Sequence, residues 1–221
     1  MAKKKKNTGI LGQFTINGKP IQITDSWEKT TFGQYLRIMK LGNDTIELLS
    51  IITGLEYDYL RKAKITGIEK LLVASGFINT AQVIPTEVKK IGCFKLPLNS
   101  KGIFDIQFES LAQFEDMRMI MNKTDMKDPV QLTDSYGKYC ALYIQKLRDG
   151  EYDGDKALAM LPEIMTYPAY DVIAAGSFFF VRLWILLNGT QPTSPNTTQT
   201  PMKNTGKRTK RSSASQPRST K

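Results

Sequence analysis

From Ile10 to Ile23 apolar side chains alternate with polar ones, and Asn17-Gly18 interrupts the alternation midway. Asn-Gly tolerates the positive φ angles of tight hairpin turns, so this stretch is predicted to be a β-hairpin. After Thr30 or Thr31 as a cap, the period changes: Phe32, Tyr35, Leu36 and Met39 recur at helical spacing. Asp44 starts a second helix through Ile52, with Gly54 as its stop, and Tyr57 to Ala63 and Gly67 to Ser75 read as further short helices. Leu48, Ile51, Ile52, Leu55, Leu60, Ile68, Leu71 and Leu72 give these segments apolar faces that need one another and the hairpin for burial.

Between Thr80 and Ile106 β character returns, with Asn99-Ser100-Lys101-Gly102 as the expected turn. Ser110 opens an amphipathic helix, LAQFEDMRMIMNKT. At an offset of 82 residues Phe32 falls on Phe114, Tyr35 on Met117, Ile38 on Ile120 and Met39 on Met121, the outline of a second hairpin-helix unit. Three more helices are predicted. One runs from Asp134 or Ser135 to about Leu147, a short one starts at Asp155 and breaks at Pro162, and the last opens at Pro168 or Ala169. Within the last, Val172 to Leu187 is the most apolar stretch of the chain, but it spans sixteen residues and includes Arg182. A bilayer crossing needs about 20 apolar residues, so a buried core helix is expected and no membrane span.

The expected fold is α+β: a basic arm (1–8), a hairpin with a helical cluster (9–79), a second β and helical part ending in an apolar helix (80–189), and a disordered basic tail (190–221). The tail has one Met as its only sizeable apolar side chain, too little burial to offset the entropy of ordering it.

Charge sharpens this division. The formal net charge is +10, from 31 Lys plus Arg and 21 Asp plus Glu. Eleven of the cations lie in Lys3–Lys6 and in residues 190–221, neither of which contains an acid, so the remainder carries 20 bases against 21 acids. A nearly neutral body with basic appendages follows. In the tail Lys203, Lys207, Arg208, Lys210, Arg211 and Arg218 are candidate phosphate contacts, without an aromatic residue to stack on bases; nonspecific electrostatics is all they offer a nucleic acid. The Lys run is not followed by a signal-peptide apolar region, so export by a cleaved signal is not expected.

Chemistry is narrowed by what the chain lacks. There is no His, which excludes Ser-His and Cys-His nucleophile pairs and zinc sites of the Cys/His kind. Two cysteines, Cys93 and Cys140, are too few for a disulfide framework. Neither GxGxxG nor GxxxxGK[ST] occurs. The acidic run Asp149-Gly150-Glu151-Tyr152-Asp153-Gly154-Asp155 departs from a calcium-loop spacing and reads as a solvated, helix-capping loop. No catalytic residue, metal or cofactor is expected.

Binding is therefore the expected activity. Trp27, Phe32, Tyr35 and Leu36 on the first helical segment, and Phe178, Phe179 and Trp184 on the last, are the candidate interface anchors, because large aromatics dominate interfaces when the monomer leaves them accessible. Met117, Met119, Met121 and Met126 offer either core filling or an adaptable surface.

The run ITDSWEKTTFGQYLRIMKL followed by TIELLSIITGLEYDYLRKAKITGIEKLL resembles the small assembly proteins of tailed bacteriophages, in particular tail assembly chaperones. The resemblance covers Gly9 to Ile78, about a third of the chain, and its motif is mostly leucines at helical spacing around LLSIITGL. It implies a noncatalytic adaptor that binds tape-measure or tube subunits in the host cytoplasm during assembly, with oligomerisation and retention in the virion left open. The long basic tail departs from the smallest members and keeps an alternative in view, a DNA-contacting virion component such as a connector or internal capsid protein.

Overall fold

The structure, a computed structural model, describes residues 14–16, 19–80, 88–97 and 110–189. Helices dominate these residues, with two small antiparallel strand pairs, an α+β composition. Strands β1 (Phe14–Ile16) and β2 (Lys19–Ile21) pair with Phe14 opposite Ile21 and Ile16 opposite Lys19, in agreement with the expected hairpin; its Asn17-Gly18 turn lies outside the described residues. Strands β3 (Lys90–Ile91) and β4 (Phe94–Lys95) form the second pair. Its turn is Gly92-Cys93, and Gly92 holds φ at 58°, a backbone conformation that favours glycine. The turn expected at Asn99–Gly102, and most of the strand region around it, lie outside the described residues. The hairpin at 90–95 begins six residues earlier than an 82-residue repeat of β1 would require.

Four helices follow the first hairpin: α1 (Phe32–Lys40), α2 (Thr45–Thr53), α3 (Tyr57–Arg61) and α4 (Ile65–Ser75). Their ends follow from local chemistry. Thr31 and Gln34 form a reciprocal capping box on α1, Asp44 accepts from the Ile46 and Glu47 amides of α2, and Gly54 ends α2 in the left-handed conformation. Such caps satisfy amides and carbonyls that a helix terminus leaves unpaired, each contributing about 1 kcal/mol. Ile16, Leu49, Ile52, Leu60 and Leu71 are buried together where these helices meet β1.

The remaining helices are α5 (Leu111–Lys123), α6 (Pro129–Asp149), α7 (Gly154–Ala159), α8 (Leu161–Ile164) and α9 (Ala169–Asn188). α6 begins at Pro129, five or six residues before the start expected at Asp134 or Ser135. Asp128 caps it by accepting from Val130 and Gln131, and Pro129 takes the first helical position, where a missing N–H costs nothing. The short helix α7 is capped by Asp153, two residues ahead of the expected Asp155. Pro162 stands near the start of α8.

α6 is the centre of the main core: α1, α5, α7, α8 and α9 all pack on it. Small residues let α6 and α9 approach closely. A Cβ at Gly176 would stand 2.2 Å from Cβ of Tyr136, and the rings of Tyr143 and Phe179 lie 4.9 Å apart. Two buried glutamines bind the periphery to α6: Gln113 donates to the Leu142 carbonyl at 3.3 Å, and Gln145 donates to the Glu151 carbonyl and accepts from the Asp153 amide, both at 3.0 Å. The acidic loop is thus tied down by a buried amide and by the cap at Asp153.

Backbone hydrogen bonds stitch α1 to the start of α9. The Phe32 and Gly33 amides, orphans of the first turn, donate to the carbonyls of Tyr167 and Met165, and the Ala169 amide donates to Thr30. Gln34 reaches from α1 to the Ile51 carbonyl of α2 at 3.0 Å. Ile38, Phe77 and Ile78 pack against both cores, so the cluster expected over 9–79 shares its packing with the rest.

α9 opens at Ala169, as expected, and runs for 20 residues, so that by length and composition alone it is sufficient for a bilayer crossing, although its most apolar stretch spans sixteen. Nine of its residues are buried against the chain's own core.

Candidate interaction surface

The structure corrects most of the anchor assignment. Trp27, Phe32, Tyr35, Leu36 and Phe179 are buried in the main core, and none is available to a partner in this fold. Trp27 meets the edges of Tyr35 and Phe77 at centroid distances of 5.7 and 5.2 Å, while its indole Nε1 donates to the Thr80 carbonyl at 3.3 Å. The physical reason is that α1 has its apolar face turned onto α6 and α9, so an aromatic stripe suited to a partner is used up internally. Phe178 and Trp184 remain half-buried, Trp184 packing 6.0 Å from Phe180. Met117 and Met121 are core, whereas Met119 and Met126 are exposed. The candidate phosphate contacts from Lys203 to Arg218 lie outside the described residues.

A different feature emerges beside the first hairpin. A cleft of about 340 Å³ is lined by Ile16, Pro20, Ile21, Leu55, Glu56 and Tyr59, with the Gly54 backbone at its edge. Its shape is set by the end of α2. Gly54 adopts φ of 69°, the Ser50 hydroxyl donates to the Leu55 carbonyl at 2.6 Å, and the Leu55 amide donates to Thr53 Oγ1 at 3.2 Å. These bonds hold Leu55 half-buried, facing the strands, and the Tyr57 hydroxyl reaches back to Asp44 at 3.4 Å. Among the described residues Glu56 is the one charged side chain of the lining. The signal was present in the sequence as Gly54-Leu55 after an apolar helix, but it reads there only as a helix stop.

α4 carries Leu72 and Val73 on its outside, Val73 at 83% exposure. Together with the cleft, this gives residues 14–75 two apolar surfaces not consumed by packing.

The polar groups are arranged for structure. The Tyr152 hydroxyl donates to Asp116 at 2.6 Å, and burial first, then that carboxylate, pushes its phenol pKa up. Tyr167 donates to Glu163, and burial followed by Glu163 and Cys93 raises its pKa likewise. Asp171 faces Lys90 at 3.6 Å, outside hydrogen-bond range for its Oδ2, and burial raises its carboxyl above the ordinary 3.8 although Lys90 opposes this. The Cys140 thiol, raised by complete burial, donates to the Val172 carbonyl at 3.6 Å. A second cleft, of about 420 Å³, mixes Lys40, Lys123 and Lys138 with Asp128 and Asp134, and Lys138 pairs with Asp134 at 2.7 Å. Among the described residues no group of three or more Cys, Asp or Glu is placed to hold a metal ion. An apolar cleft of this kind has the size to hold a side chain of a partner.

Comparison with protein-family models, with curated proteins and with solved structures finds no match to this chain.

Proposed function

We propose that the chain is a non-enzymatic assembly protein of the tailed-bacteriophage kind, a tail assembly chaperone that shields apolar segments of tape-measure or tube subunits in the host cytoplasm. The observation that carries this reading is the cleft between β1–β2 and the α2–α3 connection, lined by Ile16, Ile21, Leu55 and Tyr59. It lies within the stretch from Gly9 to Ile78 that resembles such chaperones, and Leu55 ends the LLSIITGL motif itself. A cleft of this size accepts one or two aliphatic or aromatic side chains, which suits repeated weak capture of an unassembled subunit better than a permanent interface.

Co-expression with the tape-measure or tube protein of the same phage tests this. The expected result is a soluble complex that survives gel filtration, with Leu55→Ser weakening it about tenfold or more, the loss of one buried aliphatic contact. A partner equally soluble with and without the chain defeats the proposal. The alternative of a DNA-contacting virion component leaves the cleft without a role; removing residues 190–221 separates the two, since it abolishes DNA retention in that case and spares the complex in ours.

A further inference from the structure

The cleft beside β1–β2 restricts how a partner can enter it. Among the described residues β2 pairs with β1 alone, and Pro20, which lines the cleft, stands opposite Thr15 of β1. In an antiparallel pair two facing residues exchange both hydrogen bonds or neither, and proline has no N–H to give. Pro20 and Thr15 are therefore a non-bonded pair, and the carbonyl of Pro20 points to the outer edge of β2. A strand added along that edge would meet an acceptor at Pro20 and no donor, the usual effect of proline on an edge strand. A segment that enters the cleft must satisfy its own backbone, as an α-helix does.

Charge restricts the partner further. Among the described residues Glu56 is the one charged side chain of the cleft lining, and it is exposed. It holds the N-cap position of α3, yet its side chain makes no capping bond, and no ion pair engages it. Neighbouring acids are occupied: Glu47 pairs with Arg37 at 2.8 Å, and Asp44 caps α2. An uncommitted carboxylate thus borders an apolar cleft.

We propose that the cleft takes an amphipathic helix of the partner, through an apolar side chain with a Lys or Arg one turn away that meets Glu56. This deepens the chaperone reading and rests on it, since the cleft must first be a docking site. Side chains one turn apart share a helix face, so a leucine seated against Ile16, Ile21 and Leu55 brings its neighbour to the rim. The stem of a Lys or Arg covers apolar surface there while its charge stays in water beside Glu56. Such a rim pair selects among segments more than it tightens any of them.

The test uses the full chain to select from a displayed library of alanine-based helices, each about 15 residues long and randomised over one face. A matched library carries a central proline that breaks the helix. Helices pairing Leu, Ile or Phe with Lys or Arg one turn away are expected to be enriched, and the proline library is not. By fluorescence anisotropy, Glu56→Lys should weaken an enriched helix on the order of threefold to tenfold, and changing that helix's basic residue to Glu should restore it. Glu56 makes no side-chain bond within the fold, so this variant stays folded. In the unaltered chain about 0.5 M salt should narrow the same preference without abolishing capture. Apolar helices enriched with no basic neighbour, an unchanged selection by Glu56→Lys, equal enrichment of the proline library, or no binder from either library each overturn the proposal. The docking reading is judged separately by Leu55→Ser: loss of the apolar helices keeps that reading even where the charge preference is absent, and undiminished binding removes it.

Discussion

The ring of Phe32 lies against the backbone of Gly137, so close that a Cβ at position 137 would stand 2.5 Å from Phe32 Cε1. An aromatic side chain suited to a partner is seated instead on the central helix of its own core. Gly137→Ala therefore sets two terms in opposition: helix propensity gains about 1 kcal/mol, and overpacking a buried ring costs about 1–3 kcal/mol. A net loss of stability is expected, read as a lower urea midpoint. At Gly176 the obstruction is Tyr136 Cβ at 2.2 Å and its backbone Cα at 2.6 Å, which cannot rotate away, so Gly176→Ala should cost more than Gly137→Ala. A raised midpoint for either variant contradicts the packing described.

The same relationship separates the seven aromatic and aliphatic anchor candidates into two groups. Phe32→Ala and Phe179→Ala remove fully buried rings and are expected to cost about 3–5 kcal/mol each. Phe178→Ala, at a half-buried position, should cost less than half as much. Thermal unfolding of the three variants gives the order directly.

Much of the helical skeleton was legible in the chain because it is written in short-range chemistry. Thr31 with Gln34, Asp44 with Gly54, and Ser110 each mark a helix end by a side chain that bonds neighbouring amides or by a glycine that turns the backbone. The start of α6 was obscured because Thr133-Asp134-Ser135 look like a cap as much as Asp128-Pro129 do, and the hydroxyls of Thr133 and Ser135 in fact bond back to Pro129 and Leu132 carbonyls within the helix. The fate of Trp27, Phe32, Tyr35 and Leu36 was not legible. Periodicity gives the face of a helix and says nothing of whether α6 or another protein covers it. The cleft was hidden for a related reason, since Ile16, Ile21 and Leu55 are brought together by contacts between β1–β2 and the α2–α3 connection.

Acid should act on three carboxylates in two directions. Backbone hydrogen bonds from Val130 and Gln131 hold Asp128 below its ordinary 3.8, and the Lys156 amide does the same for Asp153. Their contributions are present above the unfolded value and are lost as pH falls below about 4 through the depressed folded values. Asp171 is raised by burial, so its contribution is largest at low pH and declines as pH climbs from 3.8 through its raised folded value. Asp128→Asn should flatten the acid limb of a stability-pH curve, and Asp171→Asn should remove a decline on the less acidic side. Identical curves for all three proteins go against these assignments.

The two thiols should behave differently. Cys93 is exposed in the β3–β4 turn, whereas Cys140 is buried and its thiol pKa is pushed up. One equivalent of a chromogenic thiol reagent is expected to react promptly with the native chain and the second only on unfolding. Cys93→Ser should abolish the prompt phase and leave the delayed one.

The proposed function rests on recognition through the apolar cleft at Ile16, Ile21, Leu55 and Tyr59, and the most direct measurement is the salt dependence of affinity for the proposed partner, a tape-measure or tube protein. An apolar contact predicts affinity that holds or rises from about 0.1 to 0.5 M salt and collapses in Leu55→Ser. Affinity that vanishes over the same range, ignores Leu55→Ser and is lost when residues 190–221 are removed would contradict it.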